Sequence, residues 1–487
     1  MIRQTAIALA ILVLVAGALS IVVARQRRRQ AEPMRAMLLG EIDAGSCGEL
    51  RRAEVLARRL VLADARDQGA RAALALAGAL LAVDCGLPLT KDVVDVASSA
   101  TDSSGEDDRA QSDAASARAL LRVAAGEPAA AIAEAEAVVA HAPGLPQPLY
   151  ALARARARAG DLVGASRALE AAMIIGPAFV PARLAWAEVR LDLGDPSTAT
   201  EALRALPNPD LRARLLLDEV ERARGTHAPD AASAALDSAC DPPQLTDALE
   251  VAACALRDAT RARMAGDRAR ARASAVAAAE AAPTDPRLLS EIAQLLAELG
   301  AVDRAATLVA RAERLAAPHM PALAWAEFGV GLGRGRTPPQ PAPPFPPAPE
   351  GPLLEVRAAL AAGGVGALAA LVARGGAERI HDPDRDELAR LADPATSPAP
   401  TGGAPTGSGA RRDDEPQRAY VDGLRARFAG NLPLAAERFS HALAGHGDAC
   451  RAAGEYGAIL RGLKRKPDAR VFAALRRENA GCVNLPR

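Results

Sequence analysis

A fixed step of 34 residues recurs along much of this chain. The glycines that mark it are Gly126, Gly160, Gly194, Gly266, Gly300 and Gly430. The first three follow one another at 34-residue intervals, as do the fourth and fifth, and the last has the same surroundings farther along. A period of this length is typical of stacked helix-turn-helix units. The period therefore predicts an all-α superhelix, an architecture that presents an extended surface to other proteins.

The residues around Gly160 indicate the helices of one unit. Apolar residues on one face of a first helix are Leu149, Leu152 and Ala153, and those on one face of a second helix are Ala165, Leu169 and Ala172. Gly160 suits the left-handed backbone that closes a helix before a tight turn. Pro177 cannot continue the second helix, because proline lacks an amide hydrogen. Position by position, this unit resembles a tetratricopeptide repeat (TPR).

The same pattern recurs in the other units. Their small and apolar positions include Ala131, Ala135, Ala187, Ala199, Ala259, Ala271, Ala275, Leu289, Ile292, Ala293, Ala305, Ala435 and Phe439. The chain departs from the family in one respect, because aromatic residues make up only 2% of it and Leu, Ala or Val fill most positions that often hold them. Smaller side chains bury less apolar surface. We therefore expect stability to come from stacking many weak interfaces.

The start of the chain predicts a membrane anchor. Residues 5–24 form an uncharged run of 20 residues, which reaches about 30 Å as a helix and can cross a bilayer. The alternative is a cleaved signal peptide, since Ala16, Gly17 and Ala18 match a small-residue cleavage pattern. The apolar run continues through Val23, however, and an arginine cluster follows it, and both observations favour a single-pass anchor.

Two signals disagree about the side of the membrane on which the body lies. Arg25, Arg27, Arg28 and Arg29 follow the apolar run, and by the positive-inside rule they favour a cytoplasmic body, which we take as the expectation. The six cysteines favour a periplasmic or exported body, because their number is even and they fall into local pairs. These pairs are Cys47 with Cys85, Cys240 with Cys254, and Cys450 with Cys482. The last pair is a candidate disulfide at the C-terminal end.

Composition divides the chain into seven segments. They are a membrane anchor with a basic flank at 1–29, degenerate TPR-like helical pairs at 30–111, the main TPR array at 112–334, a Pro-rich spacer at 335–352, a short helical segment at 353–393, a flexible linker at 394–417 and a C-terminal TPR-like pair at 418–487. The spacer has eight prolines between residues 338 and 349, which favours extended polyproline II.

A search for chemical motifs is negative on the sequence. Zinc-protease, CxxC, phosphate-loop and nucleophile-elbow patterns are all missing. Residues 364–369 imitate a dinucleotide fingerprint, but a predicted helix precedes them where a strand is required. His441, His446 and Cys450 lack a firm fourth ligand for a metal. The expectation is therefore a chain without catalytic residues, metal or cofactor. A net charge of zero, from 59 basic and 59 acidic residues, gives no electrostatic case for nucleic acid.

The resemblance to TPR proteins implies a binding surface, because the first helices of successive units line the concave face of such arrays. The polar residues that it places there are Asp113, Tyr150, Arg154, Arg158, Glu188, Asp192, Arg263, Arg287, Gln294 and Glu298. At spacings of four on one helix, Tyr150, Arg154 and Arg158 should project together, and we expect them to grip an acidic partner segment. The alternative is that these residues are solvated helix faces.

The resemblance and the anchor together imply a membrane-anchored scaffold at a bacterial envelope. Such a protein binds other proteins or peptide segments through its concave groove and organises a complex without catalysis. The alternative is an accessory or regulatory subunit of an enzyme or envelope-assembly system, with an unrecognised activity in residues 353–393.

Overall fold

The computed structural model of the chain describes residues 31–341 and 415–473, apart from residues 89, 100–107, 207–208, 224–229, 241–246, 266, 282–283, 316–319, 337–338, 340, 429, 444–448 and 467–471. The sequence-based interpretations that lie outside the described residues include the anchor at 5–24, most of the Pro-rich spacer, the segment 353–393, the linker residues 394–414 and the turn at Gly266.

Every regular element in the described ranges is a helix. The first ten are α1 (31–44), α2 (Cys47–Ala63), α3 (Gln68–Asp84), α4 (Lys91–Ser99), α5 (Asp108–Ala124), α6 (Pro128–His141), α7 (Pro146–Arg158), α8 (Leu162–Ile175), α9 (Val180–Asp192) and α10 (Pro196–Arg204). The other ten are α11 (Leu211–Ala223), α12 (Asp230–Ala239), α13 (Ala248–Met264), α14 (Arg268–Glu280), α15 (Pro286–Glu298), α16 (Val302–Glu313), α17 (Pro321–Gly333), α18 (Glu415–Phe428), α19 (Leu432–Ala442) and α20 (Ala449–Gly462).

These helices pack as a solenoid of helix pairs. In the array, α5 packs on α6, α7 on α8, α9 on α10, α13 on α14, and α15 on α16. The first helices also pack on one another in the order α5, α7, α9, α11, α13, α15 and α17. One continuous row of first helices therefore forms the inner wall of a superhelix, as the 34-residue period predicts.

Small side chains let the helices of a pair approach closely. In the unit built by α7 and α8, the side chains of Ala153, Ala165 and Ala172 are completely buried, and so is that of Leu169. Alanine contributes almost no bulk at the helix crossing, while leucine fills the space between the helices. The periodic alanines and leucines of the sequence are thus the core of each unit.

The turns between paired helices share one local design. Gly160 has a φ of 86°, a conformation that glycine adopts at no steric cost. The next residue, Asp161, caps α8, because its carboxylate accepts a hydrogen bond of 2.8 Å from the amide of Gly164. Asp195 and Asn431 follow their own turn glycines and cap α10 and α19 in the same way.

The solenoid also contacts itself between units that are distant in sequence. Arg51 of α2 forms an ion pair with Asp247, which precedes α13. In the turn between α5 and α6, a Cβ atom on Gly126 would lie 2.8 Å from the carbonyl oxygen of Arg314, just after α16. Only glycine allows this approach without a shift of the backbone. The two halves of the array are therefore held against each other as well as in series.

Helices α18, α19 and α20 form the C-terminal unit around Tyr420, Phe439, Ile459 and Phe472. Its first helix begins at Glu415, so residues 415–417, which the sequence analysis assigns to the flexible linker, are helical instead. At the start of the main array, α5 begins at Asp108, four residues before the predicted boundary. Helix propensity extends both elements beyond the last residues with a clear repeat pattern.

Among the helices that the structure describes, none is long and apolar enough to span a bilayer. The predicted anchor at 5–24 is outside those residues.

We expect Gly160→Val to destabilise the array by about 1 to 3 kcal/mol, because a β-branched residue is strained at positive φ. Gly144→Ala is the control, since Gly144 lies in a loop without positive φ and nothing lies within 4 Å of an added Cβ there. Thermal unfolding followed by circular dichroism measures both. Equal melting temperatures for the two variants would show that the turn does not require glycine.

Candidate functional site

Ion pairs join the first helices of successive units along the inner wall. Arg154 of α7 donates a hydrogen bond of 2.8 Å to Glu188 of α9, 34 residues farther along the chain. Arg263 of α13 pairs in the same way with Glu298 of α15. These four predicted concave-face residues lie on first helices and are bonded to one another.

Behind Arg154 is a buried polar cluster. The hydroxyl of Tyr150 donates to the carboxylate of Asp84 at 2.6 Å, and Arg154 donates to the same carboxylate at 2.6 Å. Tyr150 is 1% exposed and packs edge-to-face on Phe179, with ring centroids 5.4 Å apart. Burial raises the pKa of the Tyr150 hydroxyl well above its ordinary value. This hydroxyl is therefore a neutral hydrogen-bond donor inside the fold.

The structure corrects the expected geometry of Tyr150, Arg154 and Arg158. Only 9% of Arg154 is exposed, and its guanidinium is shared between Asp84 and Glu188. Arg158 forms an ion pair with Asp285 at 3.3 Å. The expectation of a free aromatic face beside two free guanidinium groups is thus wrong, because residues distant in sequence already occupy these donors.

A second network surrounds Arg287 of α15. Its guanidinium donates to Asp192 at 3.1 Å and forms ion pairs with Glu219 and, at 3.2 Å, with Glu291. Three carboxylates thus share one guanidinium. Burial raises the pKa of Asp192 to about 6 and also raises the pKa of Glu291 well above its usual value. The network is therefore short of positive charge.

Glu188 has the opposite environment. Burial by itself would raise its pKa, but Arg212, Arg154 and Arg287 together hold that pKa well below its usual range. Arg212 of α11 donates to Glu188 at 2.7 Å. Glu188 therefore remains ionised and links α7, α9 and α11.

An open cavity of about 140 Å³ lies on the inner wall beside these networks. Helices α9, α11, α13 and α15 line it, and Cys47 at the start of α2 reaches its edge. Its apolar lining is Leu215, Leu216, Leu249, Leu256, Leu288 and Leu295. Glu188, Arg287 and Gln294 are the predicted site residues that line it. An apolar cleft with a few polar groups is the usual form of a recognition site.

Several polar residues of the cavity are not among the predicted site residues, and three of them illustrate why. Thr260 and Glu250 lie on α13, and Glu219 lies on α11. Burial, together with the nearby carboxylates of Asp247 and Asp210, raises the pKa of Glu250 to about 7. The position of Thr260 was a usable signal, because Thr260 and Gln294 each lie six residues before a turn glycine, as do Arg154 and Glu188. Helix α11 gave no such signal, since its unit lacks the repeat pattern.

Asp113, the remaining acidic residue of the predicted concave face, is buried on α5 and forms an ion pair with Arg109 at 3.6 Å. It is not among the residues that line the cavity.

Disulfides fix the helices beside the cavity. Cys47 is bonded to Cys85, with 5.8 Å between their Cα atoms, and Cys240 is bonded to Cys254, with 5.6 Å. Cys450 is also disulfide-bonded. Its predicted partner Cys482 lies outside the described residues, so that pairing stays a prediction.

Cysteine chemistry also bears on two possible metal sites. Cys47, Asp247 and Glu250 place ligand atoms within 4.8 Å of one another. The sulfur of Cys47 is in a disulfide, however, and a thiolate ligand is not available. The same reason removes Cys450 from the trio with His441 and His446. Neither group fits a metal ion through its cysteine.

The fold and the inner wall define a TPR-like α solenoid. No protein-family model and no curated protein matches the chain. Among solved structures, the chain is similar to one described as "Structure of Naa15/Naa10 bound to HypK-THB", with 13% sequence identity and a TM-score of 0.25 over 92% of this chain and 68% of that chain. A likeness this distant carries no argument about function, so the assignment rests on the repeats and their packing.

Removing the Arg154 guanidinium should destabilise the protein strongly. We expect Arg154→Met to cost about 3 to 5 kcal/mol, because Asp84 and Glu188 would stay buried with less compensating charge. Arg156→Met is the matched control on the same helix, since Arg156 pairs with Glu136 at the surface and its loss should cost less than about 1 kcal/mol. Urea unfolding of both variants gives the comparison, and equal costs would mean that the Arg154 network is solvated.

Proposed function

We propose that this chain is a membrane-anchored TPR scaffold of a bacterial cell envelope, which binds other proteins through its inner wall and organises them into a complex. The observation that carries the proposal is the cavity on the row of first helices. In its wall, apolar side chains from α11, α13 and α15 lie beside polar groups whose charges are not balanced.

The chain acts in this proposal by binding alone, without catalysis, metal or cofactor. The ion pairing of the inner-wall side chains favours binding over catalysis. Arginine and carboxylate groups of the wall are committed to ion pairs that span different helices. Such groups position helices and shape a surface. The alternative activity in residues 353–393 lies outside the described part of the chain.

The proposal is tested by filling the cavity. Ala253 of α13 lines it, and Ala253→Phe should exclude a partner because the larger ring occupies the space that the partner needs. Ala130→Phe on α6 is the control, since Ala130 is exposed and lies outside the cavity lining. We expect a stoichiometric partner to co-purify in mild detergent with the wild type and the control, and to be lost with Ala253→Phe.

Circular dichroism confirms that both variants are folded before the comparison. A partner that binds both variants equally would contradict binding at this cavity. A purified chain that turns over a substrate alone would favour the alternative of an enzyme.

We further propose that residues 5–24 anchor the chain and that its body lies outside the cytoplasm, in an oxidising compartment. Support comes from the pairing of Cys47 with Cys85 and of Cys240 with Cys254, since structural disulfides persist in oxidising compartments and are rare in the cytosol. The arginines that follow the apolar run favour the opposite orientation. We give more weight to the disulfides, which favour a body outside the cytoplasm, because the two bonded pairs lie in separate parts of the body.

The orientation can be measured with reporters fused to the C-terminus. We expect a reporter that is active only outside the cytoplasm to work, and alkylation of the denatured protein to find no free thiols. A cytoplasmic reporter that is active, together with free thiols at Cys47 and Cys85, would contradict the proposed orientation.

A further inference from the structure

The repeat position six residues before the turn glycine holds charged side chains in one part of the inner wall and neutral ones in another. In the first part of the array it holds Arg154 and Glu188, which are bonded to each other. In the later part it holds Thr260 on α13 and Gln294 on α15. The array thus fills this position with an internal ion pair in its first part and with neutral side chains in its later part.

Thr260 and Gln294 present neutral polar side chains to the cavity. Thr260 is 3% exposed and Gln294 is 4% exposed, and both line the cavity. Their side-chain oxygens can accept hydrogen bonds from a donor in the cavity.

The charge of the same wall indicates which charge a ligand bound there would carry. Glu219 and Glu291 share Arg287 with a third carboxylate. Glu250 also lines the cavity, where burial and the carboxylates of Asp247 and Asp210 raise its pKa despite the attraction of Arg51. The arginines of the wall are already bonded to carboxylates, as Arg212 is to Glu188. Carboxylates in the cavity wall are therefore available to a ligand, and a cationic group complements their charge.

The apolar lining and the size of the cavity indicate the shape of the ligand. Leu256, Leu288 and Leu295 give the wall an apolar surface beside Glu291 and Gln294. The volume of about 140 Å³ is below the roughly 300 to 1,000 Å³ of small-molecule and cofactor sites. A single long side chain with an apolar stem and a cationic head fits this combination.

We propose that the cavity receives one arginine side chain from an extended segment of a partner protein. Its methylene groups pack on the leucines, while its guanidinium donates to Glu291 and to the side-chain oxygens of Gln294 and Thr260. Arginine suits this wall because its planar head offers five donors in fixed directions. The inference rests on the proposed scaffold function and names the chemistry of its partner.

Short blocked peptides test the inference with the folded protein. The probe is a five-residue peptide with arginine at its centre and alanine elsewhere, titrated by isothermal calorimetry at pH 8. In the two comparison peptides, citrulline or glutamate replaces the arginine. We expect the arginine peptide to bind at least about tenfold more tightly than the citrulline peptide, because only the guanidinium is charged, and we expect the glutamate peptide not to bind.

Two single variants locate the binding. Glu291→Gln removes the charge, and Gln294→Leu removes the neutral acceptor with little change in volume. Each should weaken the arginine peptide by about fivefold or more, as expected for loss of a hydrogen bond to a charged group. Glu280→Gln is the matched control, because Glu280 is exposed on α14 and lies outside the cavity lining. Equal affinity for the arginine and citrulline peptides, or unchanged affinity in both folded variants, would overturn the inference.

The peptide titration does not require the natural partner, so its outcome is separate from that of the scaffold test. If the peptide fails to bind while a partner still co-purifies and is lost with Ala253→Phe, the arginine pocket is wrong and the scaffold function stands. If the peptide binds with the expected selectivity but no partner co-purifies, the pocket stands and the scaffold function fails.

Discussion

The structure depends on the pairing of charged groups that the superhelix buries on its inner wall. A buried guanidinium is stable only where carboxylates reach it, and in this chain carboxylates from other repeats do so. Arg287 of α15 is bonded to Asp192 of α9, 95 residues away, and to Glu219 of α11. Such bonds fix how the first helices lie beside one another. They therefore set the shape of the inner wall.

This constraint also explains why the cavity lies where it does. Where Arg154 and Glu188 meet, the inner wall is closed by its own ion pair. Thr260 and Gln294 take the same repeat position without forming an ion pair with each other, and apolar side chains from α13 and α15 line the cavity beside them. One side chain per repeat thus separates a structural contact from a candidate binding surface.

The alanine-rich core has a related consequence. Aromatic residues are scarce, so each pair of helices buries little apolar area and is weakly stable by itself. Contacts across the superhelix add what the local interfaces lack: Arg51 with Asp247, the approach of Gly126 to Arg314, and the disulfide of Cys47 with Cys85. A solenoid built from small residues thus gains stability from closing on itself.

The sequence by itself determined the helix pairs, their turns and their core, because these depend on neighbours within one repeat. Gly160 sets a turn through its own φ, and Asp161 caps the next helix by accepting from the amide three residues farther on. Ala153 is buried because of its place in the period. Only the tertiary structure decided what the inner-wall residues do. Tyr150 and Arg154 pair with Asp84, which is 66 and 70 residues away in a unit with a degenerate pattern. Contacts of this kind depend on the curvature of the whole superhelix, and no local pattern of residues encodes that curvature.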